Sequence, residues 1–334
     1  MSVDTTNIHN QFSGNIQILV VGDALIDHQY WVDRMPGVGE DTIIRSISKN
    51  VGGSAANTAI ALAYLGVPTK FYGKIGRDRD GDMVISQMQS VGVDASGVQY
   101  GEITGFTITM IDQLSERTMF SFRGASSSAL SIDTKLIESI KSSRMLLTSG
   151  YQLLYPEQAE VVLSIVERVK AEGNLVALDP SPLIGDVPAE IRVKMLGLTD
   201  LLLPNLRELA ILTGEEDPSA ALEKASVLSK CVAAKLGPKG SWMTIRAGFD
   251  LVDGQKVSEN LSFQAAARQV QAVDTTGAGD SFNAGFLASF LRNEAPPNWL
   301  KSGNDLAGEV VQHRGAVSMF CSPSQTSIKE KSKS

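Results

Sequence analysis

The sequence predicts an α/β fold in which a mostly parallel sheet lies between two layers of helices and carries a small β-structured insertion. Short β-rich runs alternate with helical segments along most of the 334 residues. Such alternation is typical of a parallel sheet that helices cover on both faces. Two segments, 30–51 and 100–122, lack a helical period and therefore predict the insertion.

The first elements of the chain have clear boundaries. The apolar run 16–21 is β-rich and ends at Gly22, so it predicts a buried strand. The Ala-rich segment 54–65 ends at Gly66, which predicts a helix with a glycine stop. Later segments repeat this alternation. Strands are predicted at 145–148, 175–178, 201–203 and 231–236, and an amphipathic helix at 156–171.

The insertion is predicted to be a β-lid on the main domain. Residues 107–111 and 118–122 are β-rich runs on either side of a polar turn. The expected organisation is a main α/β domain, a lid and a polar Lys/Ser-rich tail that we expect to be disordered. Their bounds are 1–29, 52–99 and 123–322 for the main domain, 30–51 and 100–122 for the lid, and 323–334 for the tail.

Composition is that of an ordinary globular protein, with 43% hydrophobic residues, 20% charged residues and a net charge of −7. No basic stripe is visible, so no nucleic-acid partner is expected. The first apolar run, 16–21, is too short to span a bilayer, which predicts no membrane partner and a cytoplasmic location. Cys231 and Cys321 form neither a disulfide framework nor a zinc pattern.

Polar residues and glycines follow several predicted strands. They are Gly22-Asp23, Asp179-Pro180, Pro204-Asn205 and Gly237. In open parallel sheets the carboxyl ends of the strands form the ligand crevice. These residues, far apart in the sequence, are therefore predicted to meet at one site.

The strongest functional signal is the string Asp274-Thr275-Thr276-Gly277-Ala278-Gly279-Asp280-Ser281-Phe282-Asn283-Ala284-Gly285. Apolar residues at helical spacing follow it, which places Gly277, Ala278 and Gly279 at a helix N-terminus. Backbone N–H groups there can hold an anion, and Asp280 can accept a proton from an attacking hydroxyl. Taken alone, Gly-Ala-Gly-Asp also fits a plain helix start whose Asp complements the helix dipole.

The full string resembles the signature of the PfkB (ribokinase-like) carbohydrate kinase family, and no Walker A pattern is present. The resemblance covers residues 16–323. It implies a ribokinase-like fold and ATP-dependent phosphorylation of a hydroxyl on a small sugar or sugar-like substrate. Asp280 would be the base, Gly277, Ala278 and Gly279 the anion hole, and ATP and Mg²⁺ the required cofactors.

The same resemblance implies a set of substrate-binding residues. Gly52-Gly53-Ser54-Ala55-Ala56-Asn57 matches the sugar-contacting Gly-Gly motif, and Asp27 matches a carboxylate that binds sugar hydroxyls, with Asp23 as the second candidate. Arg123 resembles an Arg of fructokinase and ketodeoxygluconate kinase relatives, and Tyr151 follows a strand where ribokinases place a Glu. Each has a structural alternative: a tight turn for the Gly-Gly motif, a solvated loop acid for Asp27, and a lid-surface salt bridge for Arg123.

Nucleotide and metal residues are implied in the same way. Asn205 and Glu208 match an Asn-x-x-Glu motif that positions magnesium, although an exposed helix pair gives the same pattern. The resemblance also implies nucleotide contacts from Lys235, Gly237, Gly240 and Asn304. Asp274 and the Thr276 carbonyl match a monovalent-cation site, which implies K⁺.

Departures from the family pattern bear on the substrate. Ser149-Gly150-Tyr151 replaces the Glu of ribokinases, and the Gly-Gly motif lacks a Lys, which argues against ribose and against a phosphorylated sugar. A nucleoside kinase and a non-catalytic sugar- or nucleotide-binding regulator are the alternative functions.

A small lid also exposes edge strands and one apolar face, so we expect two lids to pair in a homodimer.

Overall fold

The computed structural model describes residues 16–113 and 116–321. The predicted tail, 323–334, lies outside these residues. The strands are β1 Ile18–Val21, β2 Leu25–Val32, β3 Ile44–Gly52, β4 Thr69–Tyr72, β5 Lys74–Gly76, β6 Gln99–Gly101, β7 Thr104–Ile111, β8 Arg117–Gly124, β9 Met145–Ser149, β10 Leu175–Asp179, β11 Leu201–Leu202, β12 Cys231–Lys235, β13 Ser241–Ile245 and β14 Leu261–Ala265. The helices are α1 Ser54–Tyr64, α2 Arg79–Ser90, α3 Thr134–Ser142, α4 Pro156–Ala171, α5 Ala189–Leu198, α6 Leu206–Thr213, α7 Pro218–Ala225, α8 Ala278–Leu291 and α9 Pro296–Val310.

The main sheet has the strand order β14-β13-β12-β11-β10-β9-β1-β4. Its strands run parallel except at one edge, where β12, β13 and β14 pair antiparallel. Alternate residues of β1 enter two different apolar clusters: Ile18 and Val20 pack into one, Leu19 and Val21 into the other. Burial of this strand on both faces explains why all four of its residues, 18–21, are apolar. The predicted three-layer, mostly parallel α/β fold is therefore confirmed.

Individual elements follow the sequence signals closely. Helix α1 ends one residue before its predicted limit, and Gly66 has a φ of 79°, a left-handed conformation that suits glycine. Helix α4 has the predicted bounds, and a proline occupies its first turn, where the missing N–H costs nothing. Strand β1 begins at Ile18, two residues later than predicted.

A second sheet of four strands, in the order β3-β2-β7-β8, stands apart from the main one. Its extent differs from the predicted lid. Strand β2 begins at Leu25 because it pairs with β3 from Leu25↔Gly52 onward, so Asp27 lies on this second sheet and not in the main domain. Strand β8 likewise continues to Gly124 and carries Arg123. Strand β6 pairs with β5 outside this sheet.

The state of the cysteines and the apolar length of the helices were both subjects of sequence-based expectations. Cys231 and Cys321 are both buried and carry no disulfide bond. Within residues 16–113 and 116–321, no helix combines the length and apolar character needed to cross a membrane.

Helices α8 and α9 pack backbone against backbone. A Cβ atom added at Gly285 of α8 would lie 2.4 Å from the carbonyl oxygen of Ser302. One added at Gly303 of α9 would lie 2.7 Å from the ring of Phe282. Since α8 begins in the Gly-Ala-Gly-Asp motif, this close crossing fixes the helix that carries the predicted base.

Gly285→Ala is expected to destabilise the protein by about 1–3 kcal/mol, because the added methyl meets backbone that cannot move aside. Gly197→Ala is the matched control. Gly197 also lies in a helix, α5, but a Cβ atom there would meet nothing within 4 Å. This second variant should gain roughly 0.5–1 kcal/mol, since alanine loses less backbone entropy on folding. Urea unfolding measures both, and equal effects would contradict the packing argument.

Candidate active site

A cavity of about 740 Å³ lies where the carboxyl ends of the main-sheet strands face the second sheet. The predicted site residues that line it are Asp23, Asp27, Gly53, Asn57, Arg123, Tyr151, Asn205, Glu208, Lys235, Gly237, Gly240, Thr276, Gly277, Ala278, Gly279, Asp280 and Asn304. Gly52 and Asp274 are not among the lining residues. The parallel topology thus gathers residues from the whole chain, as the strand-end pattern predicted.

Asp280 lies in the first turn of α8, and both of its carboxylate oxygens accept hydrogen bonds from helix α1. Ser54 Oγ donates to Oδ1 and Asn57 Nδ2 donates to Oδ2, each over 2.8 Å. Burial, followed by the nearby charge of Asp179, raises the pKa of Asp280 to about 7. This carboxylate is fixed in position and has a pKa suited to a general base near neutral pH.

The turn before α8 has the backbone conformation that the glycines predicted. Gly277 has a φ of 76°, and a Cβ atom on it would lie 2.5 Å from that of Ala316. Gly279 faces Lys235, whose Nζ would lie 3.8 Å from an added Cβ. The first N–H groups of a helix have no intrahelical acceptor, so this turn can bind an anion beside a lysine.

A buried network behind the turn joins Lys235 to Asp179, which was predicted only as a strand-end residue of the site, and to Asn283, to which no role was given. Lys235 Nζ lies 3.2 Å from Asp179 Oδ1 and 3.2 Å from Asn283 Oδ1. Asn283 Nδ2 donates to Asp179 Oδ2 over 3.0 Å. Burial lowers the pKa of Lys235, but the charges of Asp179 and Glu208 outweigh it and the pKa is raised. Lys235 therefore stays charged beside the anion-binding turn.

Asn205 and Glu208 form a capping box at the start of α6. Asn205 Oδ1 accepts from the Glu208 N–H over 2.9 Å, and Glu208 Oε2 accepts from the Asn205 N–H over 2.8 Å. Burial and the charge of Asp179 raise the pKa of Glu208 to about 7, although Lys235 opposes the shift. The helix-pair alternative is thus partly correct, but Glu208 is buried and faces the cavity.

Magnesium fits this end of the cavity only as a shared ion. The carboxylates of Glu208 and Asp179 both line the cavity, and carboxylate oxygens suit Mg²⁺. Among the described residues, no group of three or more His, Cys, Asp or Glu side chains could hold a metal. Such an ion would therefore need phosphate oxygens and water as its other ligands, which is how Mg²⁺ commonly binds with ATP.

At the other end of the cavity, Arg123 forms an ion pair with Asp23. Arg123 Nη2 lies 2.8 Å from Asp23 Oδ2, and the guanidinium lies 4.4 Å from the Tyr151 ring centroid. The side chains are only 10% and 1% exposed. This excludes the lid-surface alternative for Arg123, because the pair is buried where the second sheet meets β1.

Asp27 and Asn57 provide hydrogen-bonding groups beside that pair. Burial and the charge of Asp23 raise the pKa of Asp27 to about 6. A Cβ atom on Gly52 would lie 2.3 Å from Asp27 Oδ2, so Gly52 makes room for this carboxylate instead of lining the cavity. Asn57 Oδ1 is buried and accepts no hydrogen bond from the described residues.

The remaining predicted nucleotide residues lie together beyond Lys235. Gly240 has a φ of 95°, and a Cβ atom on it would lie 2.0 Å from the Ala265 carbonyl oxygen. Asn304 Nδ2 donates to the carbonyls of Ala265 and Ala266 over 3.0 and 3.2 Å. These contacts hold the α9 helix against the strand-end loops that form this end of the cavity.

An anion-binding turn, a raised-pKa carboxylate and a two-ended cavity define a class of α/β phosphotransferases. The sequence model described as pfkB family carbohydrate kinase matches residues 15–324. The chain belongs to this family, and the protein is an ATP-dependent carbohydrate kinase. The resemblance that the motifs predicted is confirmed.

Relatives with known names support the same assignment. The chain is 29% identical over 316 residues to a ribokinase from Arabidopsis thaliana, covering 90% of this chain and 77% of that protein. It is 30% identical to a 5-dehydro-2-deoxygluconokinase from Shouchella clausii, covering 93% and 95%. The structure of Arabidopsis thaliana ribokinase complexed with ribose and ATP matches with a TM-score of 0.78 at 26% identity, covering 92% and 96%.

Proposed function

We propose that the protein transfers the terminal phosphoryl group of ATP to a hydroxyl of a neutral sugar, with Asp280 as the general base. The observation that carries this proposal is the position of Asp280. It lies between the end of the cavity that carries Asp23 and Asp27 and the anion-binding turn. Its two oxygens accept hydrogen bonds from Ser54 and Asn57. A hydroxyl beside it would have a base on one side and a phosphate on the other.

In the proposed reaction, the acceptor hydroxyl donates a hydrogen bond to Asp280. Its oxygen bonds to phosphorus while the bond from phosphorus to the β–γ bridging oxygen breaks, and the proton passes to Asp280. The N–H groups of Gly277, Ala278 and Gly279, with Lys235, would stabilise the negative charge on the phosphate oxygens. Held reactants of this kind need little further reorganisation to react.

Glu208, with Asn205 fixing its carboxylate, is the residue proposed to hold Mg²⁺ through water or directly. When bound with ATP, the ion supplies positive charge to the phosphate oxygens. Gly237, Gly240 and Asn304 are proposed to line the nucleotide end. Their support is their shared place in the cavity beyond Lys235.

Charge at the sugar end favours a neutral substrate. Arg123 lines this end of the cavity together with Asp23, Asp27 and Tyr151, and its guanidinium is already paired with Asp23. A phosphorylated sugar would add an anion next to the Asp23 and Asp27 carboxylates, where Arg123 is already paired. Several carboxylate and amide oxygens can instead accept bonds from neighbouring sugar hydroxyls.

We also propose that the second sheet closes over the sugar and that two such sheets pair in a homodimer. Four residues of this sheet line the cavity: Thr107, Met119, Ser121 and Arg123. Closure there would exclude water, which competes with the sugar hydroxyl for the phosphoryl group of ATP. Edge strand β8 exposes Phe120 and Phe122, by 59% and 47%. Pairing of two such edge strands would bury these exposed apolar rings.

Light scattering at micromolar concentration should give twice the chain mass, and a monomer would contradict the pairing.

A panel of neutral sugars, sugar acids, sugar phosphates and nucleosides tests the substrate class, with ADP release as the measurement. The highest kcat/KM should fall on a neutral sugar. A nucleoside as the preferred acceptor would replace the sugar proposal with a nucleoside kinase. A sugar phosphate as the preferred acceptor would contradict the charge argument.

Asp280→Asn should lower kcat by roughly 10²–10⁴-fold, because a carboxamide cannot take the hydroxyl proton. ATP affinity should not weaken, since the substitution removes a negative charge near the proposed phosphate site and adds none. Asp305→Asn is the matched control: Asp305 lies in an exposed surface pair with Lys301 and should have no effect. A variant at position 280 that kept more than about a tenth of wild-type kcat would contradict the base assignment.

A further inference from the structure

The Asp274 carboxylate lies behind the anion-binding turn and is saturated with hydrogen-bond donors. Oδ1 accepts from the Thr276 N–H at 2.9 Å, from Thr276 Oγ1 at 2.7 Å and from Arg117 Nη2 at 2.5 Å. Oδ2 accepts from the Gly315 N–H at 2.9 Å and lies 3.5 Å from Gln29 Nε2. A carboxylate has about four lone-pair sites, two on each oxygen, so Oδ1 is fully used, while Oδ2 accepts one normal bond and has Gln29 as a longer contact.

Arg117 reaches this carboxylate from the second sheet. It is the first residue of β8, opposite Ile111 of β7, and is 157 positions from Asp274 in the sequence. Its Nη1 donates to Thr276 Oγ1 over 3.0 Å, so the guanidinium bonds to both residues at once. Asp274 is 5% exposed and Arg117 29%. The pair therefore joins the second sheet to the loop before α8.

Asp274 organises the segments on which the anion-binding turn rests. Its two oxygens tie Thr276, directly before Gly277, to Gly315, directly before Ala316. A Cβ atom on Gly277 would lie 2.5 Å from that of Ala316, so the turn and this second segment are in direct contact. Loss of the positive partner of Asp274 would thus change the position of Gly277 and its neighbours in the turn.

A monovalent cation, expected from Asp274 and Thr276, does not fit this arrangement. The carboxylate already accepts these hydrogen bonds, and the guanidinium also bonds to the side chain of Thr276, the residue whose carbonyl was expected to help hold the cation. The carboxylate already has a positive partner, because the Arg117 guanidinium lies 2.5 Å from Oδ1. A second cation would be repelled by the guanidinium.

We propose that Arg117 replaces the monovalent cation at Asp274, so that the kinase works without K⁺ and its anion-binding turn is held by the second sheet. Arg117 is then a positioning residue, since it acts on the turn through Asp274 and not on the substrate. The proposal rests on the proposed anion-binding role of Gly277–Gly279. It adds a link between two parts of the fold: the strand that covers the sugar also sets the geometry of the phosphate site.

The test compares K⁺ with tetramethylammonium, a cation too large and too weakly coordinating to replace K⁺. Titration calorimetry with ATP and thermal unfolding are measured in both salts, and kcat and KM for ATP follow with the identified sugar. The wild type should give the same values in both salts within about twofold. The binding and unfolding measurements need no acceptor, so a failed search for the sugar leaves them intact.

Arg117→Ala removes the internal cation and leaves Asp274 buried and unbalanced. In tetramethylammonium salt its ATP affinity should fall by about tenfold or more, and K⁺ should restore most of the loss. Arg117→Lys should need no K⁺, because an ammonium supplies the same charge. Arg45→Ala is the matched control: Arg45 pairs with Asp33 on the exposed side of the same sheet and should create no K⁺ requirement.

Two results would overturn the proposal. A wild-type protein that loses ATP affinity or thermal stability when K⁺ is withdrawn would show that a bound cation is needed despite Arg117. An Arg117→Ala variant that keeps wild-type affinity in both salts would show that the guanidinium does not support the turn. A loss that K⁺ and the Lys variant both fail to restore would indicate a packing role only, and would equally contradict the proposed replacement.

Discussion

The site depends on the cost of placing several carboxylates together in a partly buried space. Asp179 ends strand β10, and Asp280 and Glu208 lie in the first turns of α8 and α6, where the charge of Asp179 raises the pKa of both carboxyl groups. Lys235, Ser54 and Asn57 offset this repulsion through an ion pair and hydrogen bonds. The balance leaves Asp280 with a pKa of about 7, at which a carboxylate is both ionisable and basic enough to take a proton.

The fold supplies this balance through contacts that are far apart in the sequence. Asp280 belongs to α8, its two donors to α1, and Asp179 to the end of β10. Arg117 and Arg123 bring two further charges from β8, one to Asp274 and one to Asp23. Both ends of the cavity are thus held by ion pairs between the main domain and the second sheet, and movement of that sheet would alter both ends together.

Sequence reasoning predicted the parts of this arrangement that local chemistry determines. The glycine stop of α1, the bounds of α4 and the Gly-Ala-Gly-Asp turn follow from backbone preferences and helical spacing. The partners Asp179 and Asn283 were visible only as a strand-end acid and a motif residue, because their pairing with Lys235 is made by the sheet order. Arg117 gave no signal at all, since a basic residue that starts an exposed strand is unremarkable until its register is known. The limit at residue 30 was wrong for Asp27 because strand pairing, not periodicity, sets the start of β2.

The pH dependence of kcat in an Asp179→Asn variant tests the central claim most directly. In the wild type, kcat should fall as the pH drops through about 7, because Asp280 must be ionised to accept the proton. Removing the negative charge of Asp179 should lower the pKa of Asp280 and free Lys235 to stabilise the carboxylate, so this fall should move to lower pH. A fall at an unchanged or higher pH would contradict the account.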